Sequence, residues 1–295
     1  MRKYLSYALV VLGAACWGFM GLFNRLLGSV GLDMGNRVFV RNLPSLVLRT
    51  LVFALTRREV FHIQARHLPI FAASGLISVL GLSYVYFNAQ IECSLAVAGI
   101  LLYLAPSIVV VMSALLWKTP ITRRKLAALG LALLGCALVS GLIGGELTAS
   151  WRGLAFGLAS AFCYATYTIF AHYGLAHYDS YTMIYWTFFF SGLGSFAFLN
   201  PAAIAPAVSS AKGVFSALGL VVIATVLPYL LYTKGLEGVE SGKASIIANI
   251  EPVVAALIGV FVFHEVLSVW VLLGVACVLG CVVLLAKEDV PHGEA

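Results

Sequence analysis

Glu251 is followed at once by Pro252 within the apolar run from Ala244 to Phe263. A charge at mid-bilayer costs about 2.5 to 3.5 kcal/mol on insertion scales, so this carboxylate must face protein or water. It can take up a proton and hydrogen-bond across a helix contact, or it can bind a proton or a ligand's ammonium during transport. Its neighbours at helical spacing, Ala244, Ala248 and Ala255, are small and suit a close helix contact, and both uses stay open. Arg41 lies in another apolar run with Arg37 one turn away, and can pair with a carboxylate or with lipid headgroups. Lys234 ends a run at 213–234, where its stem can snorkel to water or its ammonium can meet a substrate carboxylate.

Aromatic and amide side chains form a second set. Ser6, Gly13, Trp17, Met20 and Asn24 recur at helical spacing, and so do Ser74, Ser78, Gly81, Tyr84 and Asn88. Such stripes in a membrane helix mark a helix contact or an aqueous path. Trp17, Tyr84, Tyr103 and Tyr164 lie deeper than the interfacial anchors Tyr4, Trp151 and Tyr178. A cavity of such rings with few charges suits a ligand that stacks an apolar side chain and offers an ammonium to a π face.

Other chemistry is poorly supplied. His264-Glu265 lacks the second histidine of a zinc-binding HExxH helix, and His62, His67, His172, His177 and His292 fall in loops, at span ends or in the tail. No nucleophile with a base is apparent, so neither an enzyme nor a cofactor is expected. The six cysteines lie almost wholly in apolar runs and read as small apolar residues, with no metal set. No filter-like loop or charged ring suggests a channel. His264 and Glu265 read as a cap or loop-fixing pair.

These residues need a frame to hold them. Of 295 residues, 62% are hydrophobic and 10% charged, against roughly a quarter charged in soluble proteins. Ten runs can span a bilayer as helices: 5–27, 34–56, 68–88, 94–117, 126–143, 153–174, 181–200, 213–234, 242–263 and 268–286. The fold class is therefore all-α integral membrane. Lysines and arginines concentrate in alternate loops, which places both termini in the cytoplasm, and the cluster WKTPITRRK reads as an anchor at the lipid surface. The net charge of +6 follows this loop bias and is no nucleic-acid footprint.

The chain also repeats itself. LGAACWGFMGLF lies over ASAFCYATYTIF at an offset of 147, YLAPSIVVV over NIEPVVAAL at 146, and LLGCAL over VLGCVV at 145. Two five-helix units are expected, 1–143 and 144–295. Five is odd, so the copies must be inverted, and such repeats build a central cavity reached alternately from each side. Trp17 then maps onto Tyr164, Met20 onto Tyr167, and Tyr103 onto Asn249. Pro106 maps onto Pro252, a helix kink common to both copies, whereas Glu251 maps onto Ala105.

The stretch from Asn249 to Leu285, with Pro252, Ala255-Ala256, Glu265 before Leu267, Gly274 and Gly280, resembles the EamA-type ten-helix branch of the drug/metabolite transporter superfamily. The first copy, from Pro106 to Gly135, has Thr119 where the second has Glu265. The resemblance implies export of small metabolites through a site between the repeats, with Arg41 at a position where the branch often carries arginine. Size and aromatic content are similar to the YddG-type exporters of aromatic and other neutral amino acids. It further implies a monomer or homodimer in a bacterial inner membrane, with lipid and a small molecule as partners. The alternative is another metabolite, or a hydrophobic cationic drug coupled to protons through Glu251.

Overall fold

The computed structural model describes residues 2–93, 95–139, 150–263 and 268–286. The pair His264-Glu265, Leu267 and the expected boundary between the units lie outside the described residues. Ten main helical segments and no strand occur among them. In chain order they are α1 Tyr4–Ser29, α2 Met34–Thr56, α3 Ala65–Ala89, α4 in two pieces, Leu95–Leu102 and Ala105–Trp117, and α5 Arg123–Val139. The second set is α6 Trp151–Leu175, α7 Ser180–Gly194, α8 Ala211–Leu236, α9 Ser241–Phe263 and α10 Val269–Ala286. Six of them, α1, α2, α3, α6, α8 and α9, are long and apolar enough to cross a membrane. A short helix, Pro201–Ser209, fills the stretch between the spans expected at 181–200 and 213–234, with proline in its first turn where no backbone donor is lost.

Local chemistry explains where helices start. Asp33 accepts the amide of Asn36 and Asp179 that of Thr182, each at 2.8 Å, capping α2 and α7 at matching places of the two units. Ser150 and Ser210 cap α6 and α8 in the same way, at 3.0 Å. Each cap satisfies a donor that the helix itself leaves unpaired.

Interruptions also recur. A π-helical segment, Ser74–Gly81, lies within α3, and another, Val222–Val226, lies at the matching place in α8. In α8 the wider turn precedes Pro228, whose ring would otherwise press on the carbonyl four residues back. The fourth helices break as well. A turn at Tyr103 and Leu104 precedes Ala105-Pro106, and a 3-10 turn, Ala248–Ile250, precedes Glu251-Pro252.

Packing follows a two-fold pattern: α1 pairs with α8 as α3 pairs with α6, while α2 lies on α7, α4 on α9 and α5 on α10. This is the arrangement of two inverted five-helix repeats. Two glycines let α1 approach closely. A Cβ at Gly13 would meet the Pro228 carbonyl oxygen at 3.0 Å, and one at Gly18 would meet the Glu251 carbonyl oxygen at 2.9 Å. Lipid offers no hydrophobic gain for helix pairing, so close packing and hydrogen bonds carry it. Ser74 meets Thr187 at 3.0 Å, Ser78 meets Thr166 at 2.8 Å, and Ser191 donates to Asn42 at 2.8 Å. Large apolar side chains such as Leu55, Leu115 and Phe261 point outward.

The basic cluster at the start of α5 fits the expected lipid-surface anchor only in part. Arg123 and Arg124 are exposed, but Lys125 is buried and binds Glu240 at 2.5 Å and the Pro120 carbonyl at 2.9 Å. The ammonium finds a carboxylate from the opposite repeat, so it closes an inter-repeat joint instead of facing headgroups.

Candidate functional site

A cavity of about 460 Å³, counted with the open space at its mouth, lies between the repeats. The first repeat lines it with Trp17 and Met20 of α1, Arg41 of α2, Leu82, Ser83, Tyr86 and Phe87 of α3, and Leu102 of α4. The second adds Tyr164 of α6, Tyr229 of α8 and Glu251 of α9. Arg41 lies two turns into α2 and residues 82–87 lie near the end of α3, so the cavity occupies the half of the bundle away from the termini.

Its floor is aromatic. The Tyr229 ring meets Trp17 at 5.2 Å, Tyr167 at 4.9 Å and Phe188 at 4.9 Å, each nearly edge to face. Such pairs contribute about 0.5 to 1.5 kcal/mol each beyond their buried area. Trp17 also packs on Tyr232 at 5.1 Å and on Tyr164 at 6.1 Å. Hydroxyls fix the lower rings, with Tyr167 to Thr233 at 2.5 Å and Tyr232 to Thr168 at 3.0 Å. The floor therefore separates the cavity from the half of the bundle that holds the termini.

Two ionisable side chains, one basic and one acidic, face this space. Arg41 is buried, donates from one terminal nitrogen to Ser83 Oγ at 3.1 Å, and leaves its Nε without a partner. Ser83 in turn donates to the Val79 carbonyl at 2.9 Å, which orients the hydroxyl to accept from Arg41. Arg41 also hydrogen-bonds the Tyr229 side chain, so of its five donors Nε is the one left without a partner among the described residues. Glu251 accepts only a long bond, 3.5 Å, from the Tyr164 hydroxyl. Arg41 and Glu251 influence each other electrostatically, yet no salt bridge closes between them. A basic and an acidic side chain thus share one aromatic-walled space without closing an ion pair.

The structure thus brings Trp17, Arg41, Tyr164 and Glu251 together. Tyr167 sits beneath them in the floor, and buried Tyr103, beside Leu102 in the α4 break, lies within electrostatic reach of Glu251. Asn249 is buried in the 3-10 turn before Glu251, with its Nδ2 unpartnered. Other anticipated pathway residues lie elsewhere. Ser78 is committed to Thr166, Tyr84 is half-exposed against Phe198 at 5.8 Å, and Asn88 donates back to the Tyr84 carbonyl at 2.8 Å. Lys234 binds Glu237 at 2.6 Å and is not among the residues that line the cavity.

The reason for the α3 displacement is the π segment. Continuing the stripe Ser74, Ser78, Gly81, Tyr84 and Asn88 with an α-helical period carries it through Ser74–Gly81, where the hydrogen bonds span one more residue. The face beyond is rotated, and Leu82, Ser83, Tyr86 and Phe87 turn inward instead. Sequence reading also missed Tyr229, although its partner at offset 147 is Leu82, another lining residue. Arg49 was missed too, though an arginine eight residues beyond Arg41 in an apolar run was signal enough. Among the described residues no three His, Cys, Asp or Glu side chains gather as a metal set.

Comparison with known proteins agrees with this architecture. The model of the EamA-like transporter family matches twice, over residues 4–141 and 151–287, one match per repeat. An uncharacterized transporter of Archaeoglobus fulgidus is 30% identical over 282 residues, covering 95% of this chain and 96% of its own. The uncharacterized inner membrane transporter YicL of Salmonella typhimurium is 29% identical over 293 residues, with coverage of 95% and 94%. A solved crystal structure superposes with a TM-score of 0.77 over 96% of both chains at 15% identity, a likeness of fold alone. With both halves matching the same family model and a relative of this identity along nearly its full length, the chain belongs to the EamA-like transporter family, within the drug/metabolite transporter superfamily, and is a multi-pass membrane transporter and not an enzyme.

Proposed function

We propose that this transporter exports amino acids with aromatic or other uncharged side chains by alternating access at the cavity between the repeats. The observation that carries this reading is the pair Arg41 and Glu251, unbridged and facing one cavity otherwise walled by Trp17, Tyr86, Phe87, Tyr164 and Tyr229. Arg41 takes the α-carboxylate, starting from its unpartnered Nε, Glu251 takes the α-ammonium, and the rings take the side chain. Among the other expected pathway residues, Tyr103, Tyr167 and Asn249 support the wall from behind. The loop charges support cytoplasmic termini, and the inner-membrane name of the Salmonella relative supports that membrane.

Reconstitution into liposomes with aromatic, neutral, basic and acidic amino acids, each with and without a proton gradient, tests the reading. Phenylalanine and leucine are expected to move, and the amine lacking the carboxylate is expected to move far more slowly. Flux of hydrophobic cations with no amino-acid flux would instead establish the alternative, a proton-coupled drug exporter working through Glu251.

A further inference from the structure

Arg49 is a buried cation that the cavity does not use. It lies on α2 eight residues beyond Arg41, about 12 Å nearer the termini side by helix rise. Its guanidinium stacks 3.8 Å from the centre of the Phe188 ring and makes two long bonds, to the carbonyls of Ser45 and Thr225, both at 3.3 Å. No carboxylate pairs with it among the described residues. A charge at this depth is costly, and such residues mark substrate and ion pathways.

Its surroundings link it to the cavity. Tyr229 feels both Arg41 and Arg49 electrostatically, and its ring meets Phe188 edge on, the same Phe188 on which Arg49 stacks. One guanidinium therefore faces the cavity and the next lies behind the aromatic floor. We propose that Arg49 is a second binding station for the substrate's carboxylate. When Tyr229 and Phe188 separate, the carboxylate passes from Arg41 to Arg49 along α2. Thr225 belongs to the π segment Val222–Val226, and its carbonyl holds Arg49 by one long neutral bond. A carboxylate forms shorter, charge-assisted, bidentate bonds and displaces it.

This rests on the reading that the substrate carries a carboxylate. The test compares wild type, Arg49→Met and Arg49→Gln for phenylalanine binding in detergent and for flux in liposomes. Both variants are expected to bind within about twofold of wild type, because Arg41 remains, while flux falls at least tenfold. Glutamine can still donate to the two carbonyls but carries no charge, so wild-type flux in Arg49→Gln would overturn the proposal and leave only a bracing role. Wild-type flux in Arg49→Met, or parallel loss of binding and flux in both variants, would overturn it equally. If the wild-type protein moves no amino acid at all, the substrate reading itself fails and takes this inference with it.

Discussion

The fourth helix of each repeat breaks just before a proline, at Pro106 and at Pro252, yet the residue before the proline is buried Ala105 in one and cavity-facing Glu251 in the other. The same contrast runs through the site. The π segments of α3 and α8 match, but the residue after them that reaches the cavity is Leu82 in the first repeat and Tyr229 in the second. The inter-repeat joint at Lys125 has Val271 near its counterpart position. Duplication has preserved the backbone devices that let helices bend while the charges have become one-sided. On the proposed function, bending serves both ends of an alternating path, whereas a ligand with two unlike ends needs two unlike partners.

The largest expected effect comes from removing the first repeat's contribution. Arg41→Met should weaken binding of phenylalanine by about 1.5 to 3 kcal/mol, roughly 10- to 150-fold, the range for hydrogen bonds to charged groups. Intrinsic fluorescence titration measures it. Arg41→Lys should recover only part, since an ammonium lacks the fork that matches a carboxylate. An unchanged dissociation constant for Arg41→Met would remove Arg41 from the site and leave the second repeat as the only charged contributor.

Glu251 comes next, because its exchange partner makes the comparison direct. Glu251→Gln should cost about 1 to 2 kcal/mol of affinity, as a charge-assisted bond to ammonium becomes a neutral one. Adding Ala105→Glu to a Glu251→Ala background should restore nothing. The Ala105 side chain is buried among Ala161, Ala165 and Ile169, so the transplanted carboxylate meets apolar packing and not the cavity. Recovery of flux in the double variant would mean that the repeats are functionally interchangeable after all.

The joint at the termini side should show a smaller effect of a different kind. Lys125 is fully enclosed and Glu240 only partly, so Lys125→Met leaves a carboxylate that can rehydrate, at a cost of about 1 kcal/mol. If the bridge between the repeats helps close that side, its loss should raise the labelling rate of an introduced cysteine at Ser241 by a few fold. The reversed pair, Lys125→Glu with Glu240→Lys, should bring the rate back towards wild type. A rate indifferent to all three changes would show that the aromatic floor alone closes this side.

Some of this was legible in the sequence. Spans of about twenty apolar residues and an offset near 147 follow from bilayer thickness and duplication, and both survive in the string of residue types. So does the pairing of Trp17 with Tyr164 at one wall. The inward turn of residues 82–87 was not legible, because π register depends on the hydrogen bonding of the folded helix and leaves no fixed residue signature. Nor was the burial of Lys125, which depends on Glu240 arriving from 115 residues away. A run of basic residues looks the same whether it meets lipid or a carboxylate.

The smallest effect is expected at Ser78, where the sequence stripe and the structure part company. The stripe places Ser78 on the pathway, but its hydroxyl is bonded to Thr166 at 2.8 Å and is fully buried between α3 and α6. Hydrogen bonds of this kind between membrane helices average about 0.6 kcal/mol, because the separated helices find other partners. Ser78→Ala should therefore lower the thermal midpoint slightly and leave affinity for phenylalanine unchanged. Ser83→Ala, one step along the rotated face, removes the hydroxyl that Arg41 holds and should change affinity with little effect on stability. If the two variants behaved the other way round, the rotation of α3 by its π segment would be wrong, and the stripe at α-helical spacing would be the true lining of the path.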